Sequence, residues 1–150
     1  MTSCVVCDEV SGVVAVPGGY VSSGTFSVAF HVPSLDGSDV YSGHILVVPK
    51  RHVADFAALT QEEASEIGVA IATCSNALKG IGAERVYVAT VGHSIDHLHV
   101  HLLPRWPGTP REVPWHAVDD WVGARRVNTS QASDVVVRLR TKVVKGPDQV

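Results

Sequence analysis

Apolar positions along the chain fall into three kinds of run, and each predicts a different element. Alternation marks Asp96-His97-Leu98-His99-Val100-His101-Leu102-Leu103-Pro104-Arg105. Successive strand side chains point to opposite faces, so the pattern predicts a strand with His97, His99 and His101 on one side and Leu98, Val100 and Leu102 on the other. A helix would spread the same residues around its circumference and bury no coherent face. A continuous apolar centre marks Gly43-His44-Ile45-Leu46-Val47-Val48-Pro49-Lys50-Arg51-His52, which predicts a strand buried on both faces and ended by Pro49. Spacing of three and four marks Ala64, Ile67, Gly68, Ile71, Ser75 and Leu78, after the capping box Thr60-Gln61-Glu62-Glu63. This predicts a helix over about Thr60–Lys79, with Gly80 as the residue just beyond it.

The remaining segments carry shorter patterns. Val13–Val16 and Val21–Phe30 are rich in β-branched and aromatic residues around the turn Pro17-Gly18-Gly19, and they predict an antiparallel hairpin. A polar connection with strong turn chemistry lies between Val32 and Ser42, and Arg85–Thr90 predicts a further strand. From Trp106 to about residue 128 the chain is rich in proline and tryptophan. That composition predicts an ordered, irregular loop packing over a site or a partner subunit. In Ser130–Val144, Val135-Val136-Val137 favours strand, whereas Val135, Leu139 and Val143 behind the caps Ser130 and Ser133 favour helix. A helix over about 130–144 with a frayed tail is the adopted reading.

A chain of 150 residues with no internal repeat is expected to form one domain, 1–150, with a single core. Hydrophobic content of 45%, charged content of 18% and a formal net charge of −3 describe an ordinary soluble globular protein. The twelve Lys and Arg residues form no basic stripe, which argues against a nucleic-acid polymer as partner. Met1-Thr2-Ser3-Cys4 has neither a basic start nor a long apolar run, so no signal peptide is expected, and no aliphatic stretch is long enough for a membrane span. Three cysteines, an odd number, fit a reducing cytoplasm better than a disulfide framework.

The histidine row is the candidate chemistry. Each buried imidazole needs partners for both nitrogens, so three in a row are hard to explain as structural residues. Histidines two apart on a strand can also share one metal ion, and the spacing leaves nucleophile and metal ligand equally open. Cys4-Val5-Val6-Cys7 lies too near the start for a redox dithiol that follows a core strand. It reads as half of a zinc site completed by histidines, or as two incidental thiols. Cys74 is expected to pack as a small hydrophobe.

His97-Leu98-His99-Val100-His101-Leu102-Leu103 resembles the signature of the histidine triad (HIT) family of nucleotidyl hydrolases and transferases. Gly43–His52 resembles that family's second block, and a helix stands between the two blocks as it does there. Pro104-Arg105 and the N-terminal Cys-x-x-Cys resemble the zinc-containing bacterial members, so the resemblance spans Cys4 to Arg105. It implies an α+β fold, a mainly antiparallel sheet with packed helices, paired as a homodimer. It implies that His99 attacks the α-phosphorus of a nucleotide to give a covalent nucleotidyl-histidine, its other nitrogen held by a backbone carbonyl. His101 and His44 then carry over as phosphate-side histidines and Ser94 as a phosphate or leaving-group contact. Cys4, Cys7, His52 and His97 carry over as ligands of a structural zinc, a closed Cys₂His₂ set.

Two positions depart from the family pattern. Val32 stands where many relatives place a ribose-binding aspartate, with Asp36 and Asp39 as the nearby carboxylates. His93 stands where relatives often hold glutamine, either as a phosphate contact or as a solvated histidine. The expected function is hydrolysis of a nucleoside phosphate ester, anhydride or phosphoramidate, with a dinucleoside polyphosphate among the candidates. Its rivals are a nucleotidyltransferase or phosphorylase, a nucleotide-binding regulatory module, and a hydrolase that uses the triad as metal ligands.

Overall fold

Two strands buried on both faces set the architecture. They are β2 (Ser27–His31) and β4 (Ile45–Pro49), every residue of which is buried in this computed structural model. The structure describes residues 4–143. β1 (Tyr20–Ser23), β5 (Arg85–Ala89) and β6 (Val100–Arg105) complete a five-stranded sheet in the order β1-β2-β4-β6-β5, antiparallel throughout. Alternation then divides the side chains between two cores. Ala29, Ile45, Val47, Val100 and Leu102 belong to the main core, which the helices α2 (Gln61–Gly80) and α3 (Thr129–Val143) cover. Val28, Phe30, Leu46 and Val48 face the other way, with Val6 of the short helix α1 (Val5–Ser11). The fold is therefore α+β with a mainly antiparallel sheet and packed helices. No helix among the described residues is long and apolar enough to cross a membrane.

Several local expectations shift. Val13–Val16 is not a strand: α1 precedes it and Val13 is 77% exposed. The Tyr20 hydroxyl donates to the carbonyls of Glu9 and Val10, which anchors the end of α1 beside β1. The hairpin forms one turn later, where Glu66 accepts the amides of Thr25, Phe26 and Ser27. The predicted histidine strand is regular only from Val100 onward. Ahead of it the Leu98 amide donates to the carbonyl of Val53, outside the sheet, although Leu98, Val100 and Leu102 remain buried as one apolar side.

The capping box of Thr60 and Glu63 forms, but Arg51 draws the Glu63 carboxylate inward, and the buried stripe of α2 runs through Glu63, Ile67, Cys74 and Leu78. Ala64 and Gly68 face solvent instead. Gly80 is the last helical residue rather than the one beyond. The leader-free start read at Met1–Ser3, Val144 as the end of the last predicted helix, and the frayed tail lie outside the described residues.

The proline- and tryptophan-rich segment is fixed from its first residues. The Trp106 indole donates to the carbonyl of Ser42 at 2.9 Å, and Arg105 donates to the carbonyls of Val113 and Pro110. Its far end returns as β7 (Arg126–Val127), paired with β3 (Val40–Tyr41). This pairing brings a loop from beyond the histidine row to the strand entrance that carries His44.

Candidate active site and metal centre

His99 sits in the extended lead-in to β6, 8% exposed. Its Nδ1 lies 2.7 Å from the backbone carbonyl of His97. A carbonyl only accepts, so Nδ1 carries the proton and Nε2 keeps the lone pair. The Thr90 hydroxyl donates to the carbonyl of His99 at 2.9 Å and fixes the peptide on its other side. The arrangement selects the Nδ1–H tautomer of the ring, the one whose Nε2 lone pair nucleophilic attack requires.

His101 and His44 form a pair beside it. His44 Nε2 and His101 Nδ1 are 2.9 Å apart, so one of these nitrogens donates and the other accepts. The His99 and His101 rings meet edge to face at 5.0 Å. Burial pushes His44 down to about 3, with the positive charges that His101, His31 and His99 can carry adding to the effect. Burial also lowers His101, and His99 adds to this while Asp119 opposes it. Both rings are consequently neutral at neutral pH and ready to respond to an arriving anion.

His31, at the end of β2, has no exposed surface. Its Nδ1 donates to the carbonyl of Val32 at 2.9 Å, and its Nε2 accepts the Gly43 amide at 2.9 Å. Gly43 holds φ at +80°, and a Cβ there would meet the Trp106 ring at 2.8 Å, so both conformation and space demand glycine. Sequence reading passed over His31, because a lone histidine in a strand carries no local signal of its partners.

Cys4, Cys7, His52 and His97 come together from the start of α1, the exit of β4 and the lead-in to β6. Their four ligand atoms lie within 4.8 Å of one another. Nδ1 of His97 is 3.5 Å from the Cys4 sulfur and 3.4 Å from that of Cys7, and Nδ1 of His52 is 3.3 Å from the Cys7 sulfur. A tetrahedral metal with ordinary Zn–S and Zn–N bonds has S···N edges of roughly 3.5 Å. The other nitrogen of His97, Nε2, donates to the carbonyl of Pro49 at 3.0 Å, as a metal-bound histidine's second nitrogen does. One lone pair on Nδ1 cannot serve two thiol donors well, whereas a cation between them satisfies all three atoms. The donor set fits a metal. Among the described residues it is the group that gathers three or more such ligand atoms.

A cavity of about 530 Å³ opens beside His44. Val32 and Asp39 line it from the connection after β2, and His116, Asp119 and Arg126 from the 106–128 loop. Asp36 is engaged elsewhere: one carboxylate oxygen accepts the amide and hydroxyl of Ser38 at 2.9 and 2.6 Å. His93 and Ser94 stand exposed on the connection between β5 and His97.

The HIT domain family model matches residues 31–108, more than half the chain. The chain belongs to the HIT domain family. Over 123 residues it is 29% identical to the adenosine 5′-monophosphoramidase of Schizosaccharomyces pombe, covering 72% of this chain and 86% of that protein. Over 73 residues it is 30% identical to the AP-4-A phosphorylase of Mycobacterium tuberculosis, covering 44% of this chain and 37% of that one. Among solved structures it shares its fold with a Zn-bound histidine triad family protein from Mycobacterium smegmatis, at TM-score 0.69 and 20% identity. That alignment covers 95% of this chain and 94% of the other.

In this HIT domain the structure brings His99, His101 and His44 into one cluster and Cys4, Cys7, His52 and His97 into another, with His97 the residue that joins them. The His44 environment has a consequence for stability. In an unfolded chain His44 titrates near its ordinary value of about 6.5, but in the fold it is pushed down to about 3. The unfolded chain therefore binds an extra proton as pH falls through this window, so stability is full above about pH 6.5 and is lost below it. Denaturant unfolding at pH 7.5 and at pH 5 is expected to show a larger acid loss for the wild-type chain than for His44→Gln. Equal losses would mean that folded His44 takes up its proton normally.

Proposed function

We propose that this HIT domain is a nucleotidyl hydrolase acting on a nucleoside phosphate ester, anhydride or phosphoramidate through a covalent intermediate on His99. The observation that carries this reading is the 2.7 Å bond from His99 Nδ1–H to the His97 carbonyl, which leaves Nε2 with its lone pair. Nε2 attacks the α-phosphorus, the P–N bond forms, and the leaving group departs with the electron pair of its bond to phosphorus. Water then adds to the phosphorus and the P–N bond breaks. The nucleoside monophosphate is released and His99 recovers its neutral ring. Of the His44–His101 pair, the ring that accepts their shared hydrogen bond keeps its second nitrogen as an N–H that donates to a non-bridging oxygen. A proton taken up as the anionic phosphate arrives gives the other ring a donor as well. Ser94, and His93 beside it, are assigned to the phosphate or leaving group. Asp39 is assigned to the ribose in place of Val32, because it lines the cavity while Asp36 is bonded to Ser38.

Support comes from the named phosphoramidase relative. The phosphorylase relative favours one second reading, in which phosphate or another acceptor replaces water. Cys4, Cys7, His52 and His97 are proposed to hold one structural zinc, which supplies a cross-link between α1 and two distant segments and leaves no open coordination position for substrate. A homodimer suits the outer strand β5, which leaves Val88 half exposed. A cytoplasmic setting suits the free thiols of Cys4, Cys7 and Cys74.

The test is to incubate the protein with adenosine 5′-phosphoramidate and with diadenosine tetraphosphate and search for the adduct by mass spectrometry. Wild-type protein is expected to carry a nucleotidyl group. His99→Ala is expected to carry none and to lose turnover by about a thousandfold or more while remaining folded. Substantial turnover by folded His99→Ala would overturn the covalent route. For the metal, elemental analysis of protein purified without chelator is expected to give about one zinc per chain. Replacing Cys4 and Cys7 together by serine should lower the melting temperature by roughly 10 °C. Protein that carries no metal and melts unchanged after the double replacement would contradict the zinc assignment.

A further inference from the structure

His31 lies outside the triad, yet its ring is wired to the residue that completes it. From the end of β2 it accepts the Gly43 amide through Nε2 at 2.9 Å. Nδ1 is committed to the carbonyl of Val32 at 2.9 Å, so Nε2 is free to accept only in this one tautomer. The connection closes a small circuit, because the Val32 amide donates in turn to the carbonyl of His44 at 3.0 Å. Gly43 and His44 are therefore held from both sides by His31 and its neighbour, across a connection that leaves the sheet and returns to it.

The held peptide is the one whose orientation matters. Gly43 is in the left-handed region, at φ +80°, and the chain leaves it directly into His44. The His31-bound amide belongs to the Ser42–Gly43 peptide, whose carbonyl takes the Trp106 indole N–H. Turning that peptide about Gly43 would swing the His44 ring away from the 2.9 Å meeting of its Nε2 with His101 Nδ1. Neither partner can be replaced by solvent, since His31 has no exposed surface and Gly43 is buried under Trp106.

We propose that His31 is a positioning residue for the phosphate-side pair, a buried acceptor that sets the Gly43 peptide and through it aims His44 at His101. It touches no substrate. The kinetic part of the proposal rests on the hydrolase reading above, and the geometric part does not.

The test compares His31→Gln with His31→Asn. Glutamine reaches far enough to offer the Gly43 amide an oxygen, and asparagine does not. Two readouts are taken on the full chain: the imidazole ¹⁵N and N–H signals of His44 and His101 in nucleotide-free protein, and kcat and KM for adenosine 5′-phosphoramidate. The shared His44–His101 proton signal is expected to persist in His31→Gln and to vanish in His31→Asn. The kcat of His31→Asn is expected to fall by about tenfold or more with a smaller change in KM, and that of His31→Gln to stay within about threefold of wild type.

A folded His31→Asn that keeps both the signal and kcat would overturn the proposal, as would a folded His31→Gln that loses the signal. Should His31→Asn fail to fold, the glutamine variant decides alone. If wild-type protein turns over neither adenosine 5′-phosphoramidate nor diadenosine tetraphosphate, the hydrolase reading fails, and the nucleotide-free signals still decide the role of His31.

Discussion

A buried imidazole has two nitrogens to satisfy, and the histidines of this sheet are organised by that constraint. Three histidines meet it in the same way, by giving one ring N–H to a backbone carbonyl. His31 gives Nδ1–H to Val32, His99 gives Nδ1–H to His97, and His97 gives Nε2–H to Pro49. What differs is the nitrogen left over. His31 spends it on the Gly43 amide, His97 presents it to two cysteine sulfurs, and His99 keeps its lone pair. On the proposed reading a strut, a metal ligand and a nucleophile arise from one device, distinguished by what the second nitrogen of each ring meets.

The apolar half of the alternation makes that device possible. Leu98, Val100 and Leu102 are buried in the main core, so the backbone that carries the imidazoles cannot rotate without exposing them. α2 and α3 close one face of the sheet, and α1 covers part of the other. His97 belongs to both clusters at once: its side chain faces the sulfurs while its carbonyl orients His99. The Cys/His cluster and the proposed nucleophile His99 are thus linked through a single residue.

Much of this was legible because it is local. The capping box of Thr60 and Glu63 and the continuous apolar run of β4 each specify an element within a few residues and appear where expected. The triad's alternation places Leu98, Val100 and Leu102 on one buried side, although the strand is regular only from Val100. That Cys4, Cys7, His52 and His97 come together was also legible, through the family resemblance. The missed features depend on distant partners. α1 offered only Val6 and Val10, four apart, before a β-branched stretch that invited a strand reading. The inward turn of Glu63 depends on Arg51, the role of His31 on an amide twelve positions away, and the cavity wall on a loop pinned by Arg105 and Trp106. No window of sequence contains both halves of such contacts.

The central claim is that His99 is held in one tautomer so that Nε2 attacks phosphorus. The most direct measurement is ¹⁵N and ³¹P NMR of the ring, before and after reaction with adenosine 5′-phosphoramidate under conditions that trap the intermediate. The free protein is expected to show a protonated Nδ1 and an unprotonated Nε2 on His99, and the trapped species a phosphorus–nitrogen coupling to that same Nε2. A proton on Nε2 in the free protein, or phosphorus bonded to Nδ1 or to any other residue, would contradict the claim.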